Sequence, residues 1–346
     1  MRIRALSGEQ IRRLIDSEQR YGAYIQVRDR LRHSFRGSMH WKTVGSRDYL
    51  YHKVGGVSKS LGPRSQETQA IYDGFTSGRD ELERRKAELE QAIRKNAPVD
   101  RALGLGRVPA TVAKILRRLD EQGALGTRIS VVGTNALFAY ERKAGGHFES
   151  GMLATGDVDL LLDARRRLRL IGPTEAAPGL SALLRMVDRS FRPVSAGAFR
   201  AINGAGLMVD LIEPMPKLPT RSRQGAKLGP NDELIAAEVE GLEWLQNAPQ
   251  IDTILLDEKG FPLRMATPDP RAFALHKLWL SERRDRDPLK AFRDLQQARA
   301  VAQLVATYLP ALSFEDDDLS ALPAALRVRA AELLTDPADE HQADWE

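Results

Sequence analysis

Cysteine is absent from the 346-residue sequence, which excludes disulfides and thiolate-based zinc sites. No apolar run approaches the roughly 20 residues of a membrane span. No apolar leader opens the chain either, so a cytoplasmic protein with no membrane partner is expected. Disorder of the whole chain is excluded by the 42% hydrophobic and 29% charged residues, which fit a soluble globular protein of two or three domains. Charge of one sign is scarce locally. Residues 20–64 hold only Asp29 and Asp48 against Arg20, Arg28, Arg30, Arg32, Arg36, Lys42, Arg47, Lys53, Lys59 and Arg64, whereas residues 301–346 hold two Arg against ten acids. The first stretch is a basic patch able to steer phosphate backbones, or a solvated face that balances the acidic tail. The Arg-rich usage points to a high-GC bacterial genome.

Two segments carry chemistry. Ile129-Ser-Val-Val-Gly-Thr-Asn-Ala-Leu137 places a glycine-hydroxyl turn after a short apolar strand, and Ala154-Thr-Gly-Asp-Val-Asp-Leu-Leu-Leu162 places two acids two residues apart in the next strand. Alternate side chains of a strand share a face, so Asp157 and Asp159 point together, roughly 6 to 7 Å apart, and can grip a hard divalent cation through oxygen. Asp210 interrupts the apolar run Leu207-Met-Val-Asp-Leu-Ile212, where a strand has no structural need for charge. Gly133 lets backbone amides approach a phosphate, Thr134 adds a hydroxyl, and a helix starting at Asn135 would turn its positive end to the same anion. Each element also has a plain reading. Asp-x-Asp is a frequent chance pair, Gly133-Thr134 is an ordinary strand-to-helix turn with Thr134 as N-cap, and Asp210 can pair with Arg200 on the preceding strand.

Gly133-Thr134, Asp157-x-Asp159 and Asp210 together resemble the polymerase-β-type nucleotidyltransferase superfamily, most closely a bacterial branch with a Gly-Thr-x-Ala-Leu turn. That resemblance covers roughly residues 128–300. It implies an α+β fold, a small mixed sheet flanked by helices, in which Asp157, Asp159 and Asp210 hold two Mg²⁺ ions. The implied reaction moves a nucleoside monophosphate from a nucleoside triphosphate (NTP) to an acceptor hydroxyl and releases pyrophosphate. Gly133, Thr134 and Asn135 would then contact the nucleotide. In the helical segment Pro270–Arg284, Lys277 matches a cleft lysine of the branch, followed by Lys290, Asp294 and Leu295 in a Lys-x-x-x-Asp-Leu helix. Lys277 would reach the triphosphate or snorkel to water. Asp294 reads as a structural partner of Arg283 or Arg284.

The remaining organisation follows from pattern. Residues 1–65 read as a helix from Gly8 and a basic three-stranded meander, packed through Trp41, Tyr49 and Tyr51 on that helix or presenting them with Lys42, Lys53, Lys59 and Arg64 to nucleic acid. Residues 66–127 read as a charged spacer helix, breakable at Gly78 and ended by Asn96-Ala-Pro98, and a covering helix over 111–122. Residues 128–266 form the expected catalytic domain, with helices over 180–191 and 234–245, a hairpin at Asn203-Gly204, and a second hairpin over 251–265 joined to the same sheet. His147 is expected in a solvated loop. Residues 267–346 form the expected helical domain with an acidic tail. Beyond the enzyme reading, the chain reads alternatively as a nucleic-acid-binding scaffold or regulator on the same core, or as a toxin or defence component acting on tRNA or protein. The acceptor, RNA or protein, and the oligomeric state are not set by the sequence.

Overall fold

A computed structural model describes residues 3–165, 178–216 and 225–335. In chain order the elements are β1 (Arg4–Ala5), α1 (Gly8–Ser34), β2 (Ser38–Val44), β3 (Arg47–Val54), β4 (Val57–Pro63), α2 (Gln66–Ala102) and α3 (Ala110–Glu121). There follow β5 (Ile129–Val132), α4 (Leu137–Ala144), β6 (Gly146–His147), α5 (Ser150–Leu153), β7 (Asp157–Leu162), α6 (Leu180–Val187), β8 (Arg192–Pro193), β9 (Arg200–Ile202), β10 (Met208–Pro214), β11 (Ala237–Val239) and α7 (Leu242–Asn247). The chain closes with β12 (Gln250–Leu256), β13 (Pro262–Pro268), α8 (Pro270–Ser281), α9 (Pro288–Tyr308), α10 (Ala324–Arg327) and α11 (Ala330–Leu334).

The fold is α+β, and its mixed sheet runs β5-β7-β10-β9-β8, with β11 pairing the far end of β10. Central strands β7 and β10 are parallel and apolar on their buried face through Val158, Leu160, Val209 and Leu211. Such strands need cover on the side away from their acids. α3 supplies part of it with Val112, Ile115, Leu116 and Leu119, which join the strands in one core with Phe273 and Leu275 of α8.

Several expectations need correction. Helix α2 runs unbroken through Gly78 and Pro98. Gly78 is small because a Cβ there would lie 2.7 Å from Cζ of Phe35, so the glycine admits the end of α1 rather than breaking α2. Pro98 falls in the last turns, after which the helix has little left to lose. The meander packs on α2, through Trp41 against Tyr72 and His52 against Phe75, rather than on α1. Instead of one helix over 234–245, β11 forms first and α7 starts after Gly241, whose φ of 82° interrupts any helix. The β12-β13 hairpin is a two-stranded sheet of its own and does not join the central one. His147 is buried in β6, paired with Arg4 of β1. Burial there, with Arg107 and Arg4 nearby, pushes its pKa down to about 4. In the sequence Pro214, Pro216 and Pro219 read as stops to the sheet after the Asp210 strand; Pro219 lies outside the described residues, as does part of the acidic tail, residues 336–346.

α1 and α2 are bound to each other and to the body by ion pairs. Arg13 reaches Asp100 at 2.6 Å, and Arg28 reaches the buried Asp120 of α3 at 2.6 Å, where Arg264 of β13 also binds at 2.9 Å.

One buried group makes the fold acid-sensitive. His276 of α8 lies among Trp244, Trp279 and Gly241, and its Nε2 has no hydrogen-bond partner. Burial, then Lys277 and Arg286, push its pKa down from 6.5 to about 3. The folded chain therefore holds it neutral, while the unfolded chain protonates it near 6.5. Its contribution is fully present above that value and is lost as pH falls toward 3. Between pH 6.5 and 5 this amounts to about 2 kcal/mol, at 1.36 kcal/mol per unit. In urea titrations at both pH values, His276→Gln is expected to remove about that much of the acid-induced loss.

Candidate active site

β5 ends at Val132, opposite Asp159 of β7, so Gly133 is the next residue to pass over the acid row. Its backbone is left-handed at φ 63°, and a Cβ there would stand 2.0 Å from Asp159 Oδ2. Both requirements select glycine. Along β7, Asp157 and Asp159 share a face, and the parallel register sets Asp210 of β10 directly beside Asp159. Across four strands the row reads Val132, Asp159, Asp210, Arg200. The three acids recognised in the sequence are thus brought together by strand pairing alone.

Their charges are balanced unequally. Arg200 binds Asp210 through Nε at 2.7 Å and Nη2 at 2.6 Å, the pairing that the sequence allowed for. Thr155 donates its hydroxyl to Asp157. Burial, then repulsion from Asp157 and Asp210, push Asp159 up to about 7 against the opposing pull of Lys277 and Arg200. Lys277 is 7% exposed, so it does not snorkel; its amine is bound to Asp294 at 2.6 Å. Arg286 takes the other oxygen of Asp294 at 2.8 Å. One buried carboxylate thus serves two cations, and of the two the charge of Lys277 is felt at Asp159. Arg283 pairs with Glu240 and Asp285, so Arg286 and Lys277 replace the partners expected for Asp294. Lys290 is exposed at the start of α9.

The turn itself differs from expectation. Gly133–Ala136 is a 3₁₀ turn, and α4 begins at Leu137 rather than Asn135. Asn135 is 1% exposed and donates to the carbonyl of Asp157 at 2.8 Å, which fixes the turn against β7. Thr134 caps nothing. Its hydroxyl accepts from Gln297 at 3.2 Å and lies 3.4 Å from Nη2 of Arg293, which also donates to the carbonyl of Ala154. Arg293 and Gln297, one helical turn apart on α9, therefore clamp the turn to the loop before β7. Neither was recognised in the sequence; their spacing of four beside the noted Asp294 is the only signal.

Among the described residues no group of three or more His, Cys, Asp or Glu forms a ready metal cage, and both oxygens of Asp210 are taken by Arg200. Asp157 and Asp159 nevertheless have the right chemistry for a hard cation. They present oxygen donors on one face, and burial, then crowding by Asp157 and Asp210, raises Asp159, a repulsion that a divalent cation would relieve.

No curated protein and no solved structure matches the chain. A family model described as nucleotidyltransferase matches residues 110–323, a span that holds the Gly133 turn, all three aspartates and the α9 clamp. The chain belongs to the nucleotidyltransferase family.

Proposed function

We propose that the chain transfers a nucleoside monophosphate from an NTP to an acceptor hydroxyl. The observation that carries this reading is the register of Asp210 beside Asp159 under the left-handed Gly133. Asp157 and Asp159 would hold divalent cations, with Asp210 completing the set on release from Arg200. Bound Mg²⁺ would neutralise the triphosphate and sharpen the attacking oxygen. The chain's own residues do the rest. Amides of the Gly133-Thr134 turn approach the phosphates, the α9 clamp holds that turn rigid, and Lys277, whose charge reaches Asp159, biases the cleft toward anions. Asp210 receives the proton of the acceptor hydroxyl, directly or through water, as that oxygen bonds to the α-phosphorus and pyrophosphate leaves. Incubation with each α-labelled NTP, Mg²⁺ and cellular RNA, protein or small-molecule fractions tests the reading. Label should enter one fraction, and no label in any would sink it.

The two bonds from Arg200 to Asp210 favour a second reading, a binding module whose third carboxylate is permanently engaged. The same incubations separate the two, since a module would bind NTP or acceptor without transfer.

Gly133→Ala tests the turn. The added Cβ must displace the Asp159 carboxylate and adopt a left-handed backbone, at a cost of about 1 to 2 kcal/mol. Label transfer should fall roughly 100-fold, as a misplacement of about 1 Å does at a catalytic centre. Circular dichroism should remain that of the wild type. Undiminished transfer would show that Asp159 need not sit where the turn holds it.

A further inference from the structure

The meander β2-β3-β4 precedes residue 110, so the family match does not account for it. Its two faces differ in kind. Toward α2 it buries Leu50, 0% exposed, and sets Trp41 against Tyr72 under the guanidinium of Arg64. The other face follows from the register, which pairs His40 with Tyr51 and Lys42 with Tyr49. Partners in register project to the same side. There the His40 and Tyr51 rings stack at 6.1 Å with an interplanar angle of 20°, and the amine of Lys42 lies 5.9 Å over the Tyr51 ring. Tyr49 and Tyr51 are half-buried, while His40, Lys42, Arg47 and Lys53 are exposed. Alternation puts Arg47 and Lys53 on this face as well, and both acids of the segment elsewhere. Asp29 belongs to α1, and Asp48 shares the α2 side with Thr43, whose hydroxyl donates to it at 2.7 Å. Ser58 and Ser60 of β4, in register with Lys53 and Tyr51, border the rings with exposed hydroxyls.

We propose that this open face of the meander binds single-stranded RNA. Rings flanked by cations, with no acid among them, provide stacking surfaces for bases and counter-charges for phosphates. A duplex keeps its bases stacked on one another and cannot use the rings. The serine hydroxyls beside the rings are suited to a ribose 2′-OH, which DNA lacks. The inference names the acceptor class under the transfer reading above, but the binding itself needs no NTP and stands or falls separately.

The test is fluorescence anisotropy of the full chain with a labelled 12-nucleotide RNA, the same sequence as DNA, and the RNA duplex, without NTP, at about 50 mM salt. RNA single strands should bind more tightly than either competitor. Tyr51→Ala should weaken RNA binding about tenfold, Tyr51→Phe should not, and both should keep the wild-type circular dichroism. Replacing Lys42, Arg47 and Lys53 together by Ala should reduce the salt slope by about two, three lost contacts at about 0.7 each. Asp157→Asn should bind RNA as the wild type does, whatever becomes of transfer. Absence of RNA binding, or equal affinity of the wild type and Tyr51→Ala, would overturn the proposal. Equal or tighter binding of DNA or duplex would overturn the choice of single-stranded RNA.

Discussion

Asp159→Asn is expected to abolish label transfer, by on the order of 10³-fold or more, and to leave the fold intact. The loss follows from position. Asp159 lies between Asp157 on its own strand and Asp210 on the next, directly under Gly133, so under the proposed transfer a cation gripping the triphosphate would use it. Several kcal/mol of charge stabilisation depend on such a ligand, and each 1.36 kcal/mol is tenfold in rate. Tolerance of the fold follows from electrostatics. Burial and two like charges work against the carboxylate, which is why it is pushed up to about 7, and asparagine keeps the shape without the repulsion. Melting in EDTA should therefore occur at the wild-type temperature or above. Mg²⁺ should raise the melting temperature of the wild type and not that of the variant. Transfer retained in both Asp157→Asn and Asp159→Asn would sink the assignment of these acids as cation ligands.

The acid row was legible in the sequence because strand geometry is periodic. A spacing of two sets Asp157 and Asp159 on one face, and an acid in an apolar run marks Asp210 as out of place. Even Arg200 was within reach, since the turn at Asn203-Gly204 brings it opposite Asp210. What stayed hidden depends on contacts between segments distant in the chain. The clamp of Arg293 and Gln297 on Thr134 spans about 160 residues, and nothing local to α9 announces it. The same holds for Gly78, which reads as a helix breaker until Phe35 is seen against it. The burial of His147 is hidden from the sequence for a related reason. Two residues of pairing with Arg4 and Ala5 bury it, and so short a strand leaves no alternation to find. The meander was recognised from its turns, but its packing partner was not, because aromatic residues in alternation do not say which helix they meet. Helix α7 shows the limit of apolar periodicity, since Gly241 at positive φ starts a new element where the pattern alone would continue one.

Asp210→Asn is expected to stop turnover while NTP binding persists, unlike the variants at Asp157 and Asp159. The distinction rests on where each acid stands. Asp157 and Asp159 lie on β7, next to the turn whose amides would receive the phosphates, whereas Asp210 is one strand further and is held by Arg200. A cation accompanying the triphosphate can still be gripped by the β7 pair when Asp210 is neutral. What disappears is the carboxylate that, under the proposed transfer, would receive the hydroxyl proton and complete the ligands on the acceptor side. Asparagine can keep one bond to Arg200 through its carbonyl oxygen but cedes the second oxygen and the charge. Arg200 is about one third exposed, so water can solvate the guanidinium and the fold should be little disturbed. NTP affinity, measured by calorimetry with Ca²⁺ to block turnover, should stay within a few-fold of the wild type in Asp210→Asn and drop by tenfold or more in Asp159→Asn. Equal losses of affinity in both variants would contradict this division of labour and make the three acids a single nucleotide-binding set.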